Sequence, residues 1–337
     1  MKKLKSYILP LIAVSLFVMM SCKGNSGNAP YQKNSGFVFG TSYNITYQHS
    51  DDLGEAIDSV LHQVDLALSP FNKESVITAI NENKNLTTDN QMFTEVFNLA
   101  SKITHDTDGA FDITVAPLVN AWGFGFKSGT PPTDAAIDSI RSFVGFDKVS
   151  LSEGKITKQD PRVMLDCSAI AKGYAVDKVA EMLVSKGVKN LMVEIGGEIV
   201  VKGINPKNEA WRIGVTKPVD DSLSTSNELQ TILPLTDIAM ATSGNYRNFY
   251  YKDGKKYAHT IDPATGRPVQ HSILSATVLA SDCATADAYA TSFMVMGLEG
   301  TKKVMAQHPE MKAYIIYTDQ HGNYCVWSTP NLETPKE

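Results

Sequence analysis

The spacing of the apolar residues switches repeatedly between the period of a helix and that of a strand, and this irregular alternation constrains the fold more than any other feature. Helical stripes are predicted to begin near residues 53, 88, 134, 168, 284 and 298, with a break at Gly297. Apolar runs predict strands at residues 191–195, 211–216, 232–241, 275–279, 313–318 and 324–328, and a hairpin at 249–259. The sequence therefore predicts an α+β fold, a single domain in which mixed, largely antiparallel sheets are layered with helices.

The beginning of the chain has the pattern of an exported bacterial lipoprotein. Three early lysines precede an apolar run at residues 7–20, which suits a signal peptide and is short for a membrane span. Ser21 and Cys22 follow, and a small residue before a cysteine at this place resembles a lipoprotein cleavage site. The sequence predicts a signal peptide over residues 1–21, lipidation of Cys22, and a flexible tether over residues 22–35. An ordinary cleaved signal and an N-terminal membrane anchor are the alternatives.

Processing of this kind would fix the location and limit the partners of the mature chain. Acyl chains on Cys22 would hold it to the inner or the outer membrane of a bacterium, facing the periplasm. The formal net charge of the 337 residues is −5 and no basic stripe is present, which argues against nucleic acid as a partner. An anionic substrate would need local positive charge from a metal, a helix N-terminus or a few placed lysines.

Asp287 and Thr291 lie four residues apart in the Ala-rich helical stripe and therefore share one face of the predicted helix. The stripe is almost wholly apolar, which predicts burial, and a buried carboxylate is costly unless another group neutralises it. A carboxylate and a hydroxyl oxygen together suit Mg²⁺. An aspartate that pairs with a lysine or caps a loop gives the same pattern, and the spacing alone favours that structural role.

A second candidate segment begins with the apolar run 163–165, which predicts a strand that passes into the helix near residue 168. A strand-to-helix turn presents backbone N–H groups and the positive end of the helix dipole, and both suit a phosphate. Asp166 stands at this turn, and Lys172 would lie close enough to reach an anion. A routine capped helix with a solvated lysine is the alternative.

Two further segments combine aromatic residues, glycines and polar side chains. Residues 109–125 include several aromatics and one acid, Asp112, and such a stretch can line a flat ring, although core packing is its commoner role. Residues 256–268 end a predicted strand at His259 and continue into an Asp-Pro-x-Thr-Gly turn. A histidine at this place is either structural or a proton carrier near neutral pH.

In this order and spacing, the four segments together resemble one family, the bacterial FAD:protein FMN transferases, or ApbE flavin transferases. The motifs are Gly-Ala-Phe-Asp-Ile-Thr-Val at 109–115, Ser-Ala-Ile-Ala-Lys-Gly-Tyr-Ala-Val-Asp at 168–177, His-Thr-Ile-Asp-Pro-Ala-Thr-Gly at 259–266 and Ala-Asp-Ala-Tyr-Ala-Thr at 286–291. The resemblance runs from Gly36 to Trp327 and implies one flavin transferase domain over residues 36–330.

The resemblance implies roles for particular residues. It implies that Mg²⁺ is held by the side chains of Asp287 and Thr291 and by the backbone carbonyl of Ala169. It implies that His259 and Lys172 act in catalysis. The residues that it implies in FAD binding are Ala110, Phe111, Asp112, Asp166, Lys172 and Ile261.

Two aromatic residues depart from the family pattern at places that lie near the nucleotide in the family. Phe71 stands where relatives often carry tyrosine, and Phe39 stands where many carry methionine. Both are predicted to bind the cofactor. Stacking on a ring survives the change from tyrosine to phenylalanine, but the hydroxyl contact does not.

The implied reaction is transfer of FMN from FAD to a Thr or Ser hydroxyl of an acceptor protein, with release of AMP. The implied acceptors are subunits of membrane redox pumps and related flavin-carrying domains. The general base would be His259 or a metal-bound carboxylate. The alternatives are a Mg²⁺-dependent FAD pyrophosphatase, which would use the same site, and a lipoprotein that only binds FAD, against which the Asp287 and Thr291 pair argues.

Overall fold

The computed structural model of the chain describes residues 29–125, 131–218, 228–245, 249–252 and 255–333. The predicted signal peptide, Cys22 and the first part of the predicted tether lie outside these residues. Among the helices that are described, none combines the length and the apolar character needed to cross a membrane.

The helices follow the predicted stripes closely. The described residues form α1 (Gly54–Leu68), α2 (Val76–Asn81), α3 (Gln91–Asp106), α4 (Ala116–Ala121), α5 (Asp134–Arg141), α6 (Ala171–Ser185) and α7 (Cys283–Gln307), with 3₁₀ turns at Ile113–Val115 and Phe146–Lys148. The predicted break at Gly297 is confirmed, because this residue has a φ of 73° and a ψ of 177° and kinks α7.

The strands are mostly short and join their neighbours by antiparallel pairing. They are β1 (Tyr31–Val38), β2 (Thr41–Gln48), β3 (Val149–Ser152), β4 (Lys155–Lys158), β5 (Leu191–Ile195), β6 (Glu198–Lys202), β7 (Trp211–Thr216), β8 (Leu229–Leu235), β9 (Ile238–Gly244), β10 (Phe249–Lys252), β11 (Lys255–Ala258), β12 (Ile261–Asp262), β13 (Arg267–Pro268), β14 (Ile273–Ala280), β15 (Lys312–Thr318) and β16 (Tyr324–Ser328).

One large sheet organises the molecule. It has eight strands in the order β1-β2-β5-β6-β9-β14-β15-β16, and each neighbouring pair is antiparallel. The other strands form two-stranded ribbons: β3 with β4, β7 with β8, β10 with β11, and β12 with β13. The predicted α+β class with largely antiparallel sheets is confirmed.

Side chains alternate between the two faces of a strand. In the central strands, both of these faces are buried. Val200 in β6 belongs to the main core, which the sheet forms with α1, α3, α6 and α7. Its neighbours Ile199 and Val201 belong to a second core on the other face, beneath the β7–β8 ribbon. Burial on both sides explains why β6 reads as a continuous apolar run rather than an alternating one.

Three sequence predictions about the backbone are wrong. The predicted strand at 232–241 is two strands, because Asp237 has a φ of 50° and separates β8 from β9. The run 163–165 is not a strand; the side chain of Asn81 bonds both backbone groups of Leu165, at 2.9 Å to its carbonyl and 2.7 Å from its N–H. Residues 31–35, predicted as tether, lie in β1 and pair with β2.

Helices α6 and α7 cross at close range, and this crossing builds the site described below. Gly173 of α6 lies against the backbone of Cys283 at the start of α7, where an added Cβ would be 2.3 Å from the Cys283 carbonyl oxygen. The carboxylate of Asp177 accepts hydrogen bonds from the N–H groups of Cys283 and Ala284, both at 2.8 Å. These N–H groups lie at the N-terminus of α7, where they have no partner inside the helix.

Asp177 makes stability depend on pH. Burial raises its pKa to about 7 against the pull of the two N–H donors. The unfolded carboxyl titrates near pH 4, so between about pH 4 and pH 7 the folded chain holds a proton that the unfolded chain has lost. The free energy of unfolding therefore falls as pH rises through this window, by up to about 1.4 kcal/mol per pH unit.

We expect the Asp177→Asn variant to lose this part of the slope. Chemical denaturation of both proteins at several pH values in the window would measure it. An identical slope in the two proteins would contradict the assignment, because it would mean that Asp177 is ionised throughout.

Candidate active site

A cavity of about 500 Å³ lies where the four sequence segments meet. The segments come from the turn after α3, the loop before α6, the end of β11 and the first half of α7. The predicted site residues that line the cavity are Phe71, Ala110, Phe111, Asp112, Asp166, Ala169, Lys172, His259, Ile261, Asp287 and Thr291. The fold thus gathers residues that are more than two hundred positions apart in the sequence.

Phe39 is the predicted site residue within the described chain that does not line this cavity. It lies in the tight turn between β1 and β2 with a φ of 51°, and it packs against the main core. Phe71, by contrast, lines the cavity with 70% of its surface exposed. Cys22 lies outside the described residues.

Asp287 is buried on the face of α7 that meets α6, with 2% of its surface exposed. Its Oδ2 atom accepts a hydrogen bond of 3.1 Å from the N–H of Gly173, in the first turn of α6. The positive end of the α6 dipole therefore faces this side chain. The same oxygen is 3.7 Å from the ammonium nitrogen of Lys172.

Lys172 is held between two carboxylates. Its Nζ donates a 2.8 Å hydrogen bond to Oε1 of Glu198, in addition to the longer contact with Asp287. Burial disfavours the charged ammonium, but the Asp287 and Glu198 carboxylates outweigh it and raise the pKa of Lys172. Burial raises the pKa of Glu198, while Lys172 opposes this shift and Asp287 adds to it. The cluster therefore holds an ammonium ion at neutral pH.

Thr291 extends the oxygen-rich wall one helical turn beyond Asp287. Its Oγ1 is 3.1 Å from Oγ of Ser243 in β9, and Thr242 and Ser243 also line the cavity. Both hydroxyls lie in the last part of β9, and the sequence, which there suggested only a Gly-containing bend with hydroxyls, was not sufficient to select them.

The loop before α6 is fixed by contacts with distant segments. The N–H of Asp166 donates to the carbonyl of Ile113 at 2.7 Å, which ties this loop to the segment after α3. Oδ1 of Asp166 accepts from the N–H of Ser168 at 2.8 Å. The tight turn that results delays the start of α6 to Ala171 and places Ala169 on the cavity wall.

Asp112 has a structural contact inside the site. Its Oδ1 accepts a 2.7 Å hydrogen bond from the N–H of Thr114 and caps the 3₁₀ turn at Ile113–Val115. Burial raises the pKa of Asp112 against this bond. Phe111 beside it is almost fully buried in the main core while lining the cavity.

His259 lines the cavity and precedes a turn that is fixed by hydrogen bonds. The centroid of its ring is 6.5 Å from that of Phe124, at an edge-to-face angle of 69°. The next residue, Thr260, donates from its hydroxyl to Oδ1 of Asn245 at 2.7 Å. The Asp262 carboxylate accepts from Ala264 N–H and the Thr265 hydroxyl, both at 2.9 Å, as the predicted turn requires.

The donor set of the cavity suits a hard cation. In the part of the chain that the structure describes, no group of three or more His, Cys, Asp or Glu side chains could hold a metal. Asp287, Thr291 and the Ala169 carbonyl instead offer three kinds of oxygen. Mg²⁺ is commonly bound by one or two carboxylates and completed by waters and substrate phosphates, so this set fits it.

Glu198 is the most important residue of the site that sequence reasoning missed. It begins β6 after two glycines, with 3% of its surface exposed, and lines the cavity. The local signal was an acid at the head of a run that is otherwise apolar. Its significance comes from Lys172, which is 26 positions away in the sequence.

A family model described as the ApbE family matches residues 39–315. The chain belongs to the ApbE family. A curated relative from Vibrio cholerae, named FAD:protein FMN transferase, is 38% identical over 296 residues, which are 85% of this chain and 87% of that protein. The protein of the same name from Escherichia coli K12 is 32% identical over 298 residues, 86% of this chain and 83% of that protein.

Solved structures of ApbE proteins share the fold. The flavin transferase ApbE from Vibrio cholerae superposes with a TM-score of 0.80 at 35% identity, covering 90% of this chain and 98% of that one. The apo form of the flavinyl transferase ApbE from Pseudomonas stutzeri gives 0.78 at 30% identity, covering 89% and 95%. The resemblance stated from the four motifs is therefore confirmed.

Proposed function

We propose that this protein transfers FMN from FAD to a Thr or Ser hydroxyl of an acceptor protein and releases AMP. The observation that carries the proposal is the single cavity in which all four motifs meet, with the Lys172 ammonium and the Asp287 carboxylate at the N-terminus of α6. The names of the ApbE relatives support the same reaction.

In the proposed reaction, the acceptor hydroxyl oxygen forms a bond to the phosphorus on the FMN side of the FAD diphosphate. The bond from that phosphorus to the bridging oxygen breaks, and AMP leaves with the bridging oxygen. His259, which lines the cavity, receives the hydroxyl proton. Ile261 and Phe111 contribute apolar walls that position the flavin half, and positioning supplies much of the rate in phosphoryl transfer.

Asp287, Thr291 and the Ala169 carbonyl would hold Mg²⁺. The ion would supply positive charge that offsets the charge developing on the leaving phosphate. The chain holds the ligands in place by its own contacts, since Gly173 N–H fixes one oxygen of Asp287 and Ser243 contacts the hydroxyl of Thr291.

The soluble domain can be tested with FAD, Mg²⁺ and a flavin-carrying domain of a membrane redox pump from the same organism. Covalent flavin on the acceptor, with an equal amount of AMP, is the expected result. Free FMN and AMP with an unlabelled acceptor would instead indicate a pyrophosphatase, and intact FAD would indicate a binding protein.

The same assay with the His259→Gln variant tests the proton transfer, because a full rate in that variant would exclude His259 as the base.

We propose that the chain acts at a membrane surface outside the cytoplasm, as the lysines, the apolar run and Cys22 of the N-terminal segment suggest. Acceptors in membrane redox pumps would then be within reach of the anchored domain. Mass spectrometry of the amino-terminal peptide of the natural protein should find acyl chains on Cys22. An unmodified chain that begins at Met1 would contradict the anchor.

A further inference from the structure

Glu198 presents an oxygen that nothing in the fold explains. Oε1 of this buried side chain bonds Lys172, but Oε2 has no hydrogen-bond partner among the described residues. A buried carboxylate oxygen without a partner is costly, so proteins retain one mainly where a ligand or a function needs it. The residue lines the same cavity as Asp287.

The charges of the cavity wall oppose the ligand that the proposed function requires. Besides His259, the charged side chains on the described wall are the acids Asp112, Asp166, Glu198 and Asp287 and one base, Lys172. Lys172 lies 2.8 Å from Glu198 and 3.7 Å from Asp287. One ammonium and two carboxylates together carry one net negative charge. The FAD diphosphate carries two negative charges at neutral pH and would be repelled.

We propose that Glu198 neutralises Lys172 and thereby makes binding of the FAD diphosphate depend on a divalent cation. The inference rests on the proposed function, which supplies FAD as the ligand. With Glu198 in place, the anion gains net attraction only when a cation brings the cluster to a positive charge. Without it, the Lys172 ammonium would attract the diphosphate directly.

In this role Glu198 determines specificity: it selects cation-bound FAD over free FAD, and it need not contact the cation itself. An enzyme that bound free FAD tightly would hold its substrate in a form that lacks the charge needed for transfer. Because Glu198 neutralises Lys172, FAD binds tightly only when the cation is present. The two binding events are then coupled, and each ligand must raise the affinity for the other by the same factor.

The Glu198→Gln variant keeps the length of the side chain and an amide oxygen that can accept from Lys172, but removes one negative charge. The test compares equilibrium dissociation constants for FAD, measured by quenching of flavin fluorescence, in EDTA and in saturating Mg²⁺. The ratio is the dissociation constant in EDTA divided by that in Mg²⁺. We expect this ratio to be large for the natural protein. For Glu198→Gln we expect it to be smaller by about tenfold or more, chiefly because the variant binds FAD more tightly in EDTA.

Glu194→Gln is the matched control. Glu194 lies in β5, next to β6 in the same hairpin, and its carboxylate bonds Asn44 and the N–H of Gly197 rather than Lys172. This variant loses the same charge from the same hairpin and should leave the ratio unchanged. The Glu198→Met variant, of similar length and without need of a hydrogen-bond partner, repeats the test should the glutamine prevent folding.

The outcomes separate this inference from the proposed function. A ratio in both Glu198 variants equal to that of the natural protein, with normal FAD binding in Mg²⁺, would overturn the inference and leave the function standing. A natural protein that binds no FAD in Mg²⁺ would overturn both. A smaller ratio in Glu194→Gln as well would also overturn it, since the effect would then come from general surface charge.

Discussion

Replacement of Asp287 by alanine is expected to lower the rate of FMN transfer by about a thousandfold or more, which corresponds to about 4 kcal/mol of transition-state stabilisation. The change removes the carboxylate that we propose as a side-chain ligand of Mg²⁺. It also leaves the N–H of Gly173 without its acceptor and removes one of the two carboxylates near the ammonium of Lys172. The assay is the appearance of covalent flavin on the acceptor as a function of Mg²⁺ concentration.

The Asp287→Asn variant separates charge from structure. Its amide oxygen can still accept from Gly173, so the crossing of α6 and α7 should persist, while the affinity for the cation falls. We expect Mg²⁺ with FAD to raise the thermal unfolding temperature of the natural protein and to have little effect on either variant. Undiminished transfer by Asp287→Ala would rule out Asp287 as a metal ligand.

Gly173→Ala is expected to be strongly destabilising although it adds a single methyl group. The new Cβ would lie 2.3 Å from the carbonyl oxygen and 2.6 Å from the carbonyl carbon of Cys283, and 2.9 Å from the Cα of Ala284. All three are backbone atoms of α7 and cannot rotate away, so the two helices must separate. We expect a loss of about 3 kcal/mol or more in the free energy of unfolding, at the upper end of overpacking effects.

Activity should be lost in the same variant, since Asp287 and Lys172 belong to the two helices that separate. Gly54→Ala is the control, because Gly54 also lies in a helix, but the atoms nearest to its added Cβ belong to the side chains of Asn34 and Asp52. That change should alter stability by less than about 1 kcal/mol. Urea denaturation measures both, and equal stability of the two variants would contradict the close crossing.

Strands could be predicted from the sequence where the local composition alone favours an extended conformation. The strand predictions 191–195, 211–216 and 324–328 coincide with β5, β7 and β16 because each segment is short and rich in β-branched, aromatic or other apolar residues. The prediction for 232–241 failed because the run is nearly continuous and Asp237, an ordinary polar residue in the sequence, adopts a left-handed conformation. A Pro or Gly there would have indicated the turn.

Some residues of the site could likewise be predicted from the sequence, and others could not. The aspartates, the lysine and the histidine of the motifs are conspicuous within apolar or Gly-rich segments, whereas the other predicted site residues came from the family resemblance; all of those described except Phe39 line the cavity. Phe39 was selected because it stands where many relatives carry methionine, but it packs on the core. Asn81 and Glu198 were missed because their partners, Leu165 and Lys172, are distant in sequence.

The sequence by itself determined the periods of its helices and strands, the α+β class, and four motifs that could be matched to a family. It could not determine whether Asp287 is a structural acid or part of a site, since burial, a helix dipole and a lysine satisfy either reading. Only the tertiary structure placed Asp287 on the wall of the cavity, and it crossed α6 and α7 at Gly173 so that the α6 N-terminus, Lys172 and Glu198 surround this carboxylate. Electrostatic interactions act through space, and their strength depends on distances that no local pattern encodes.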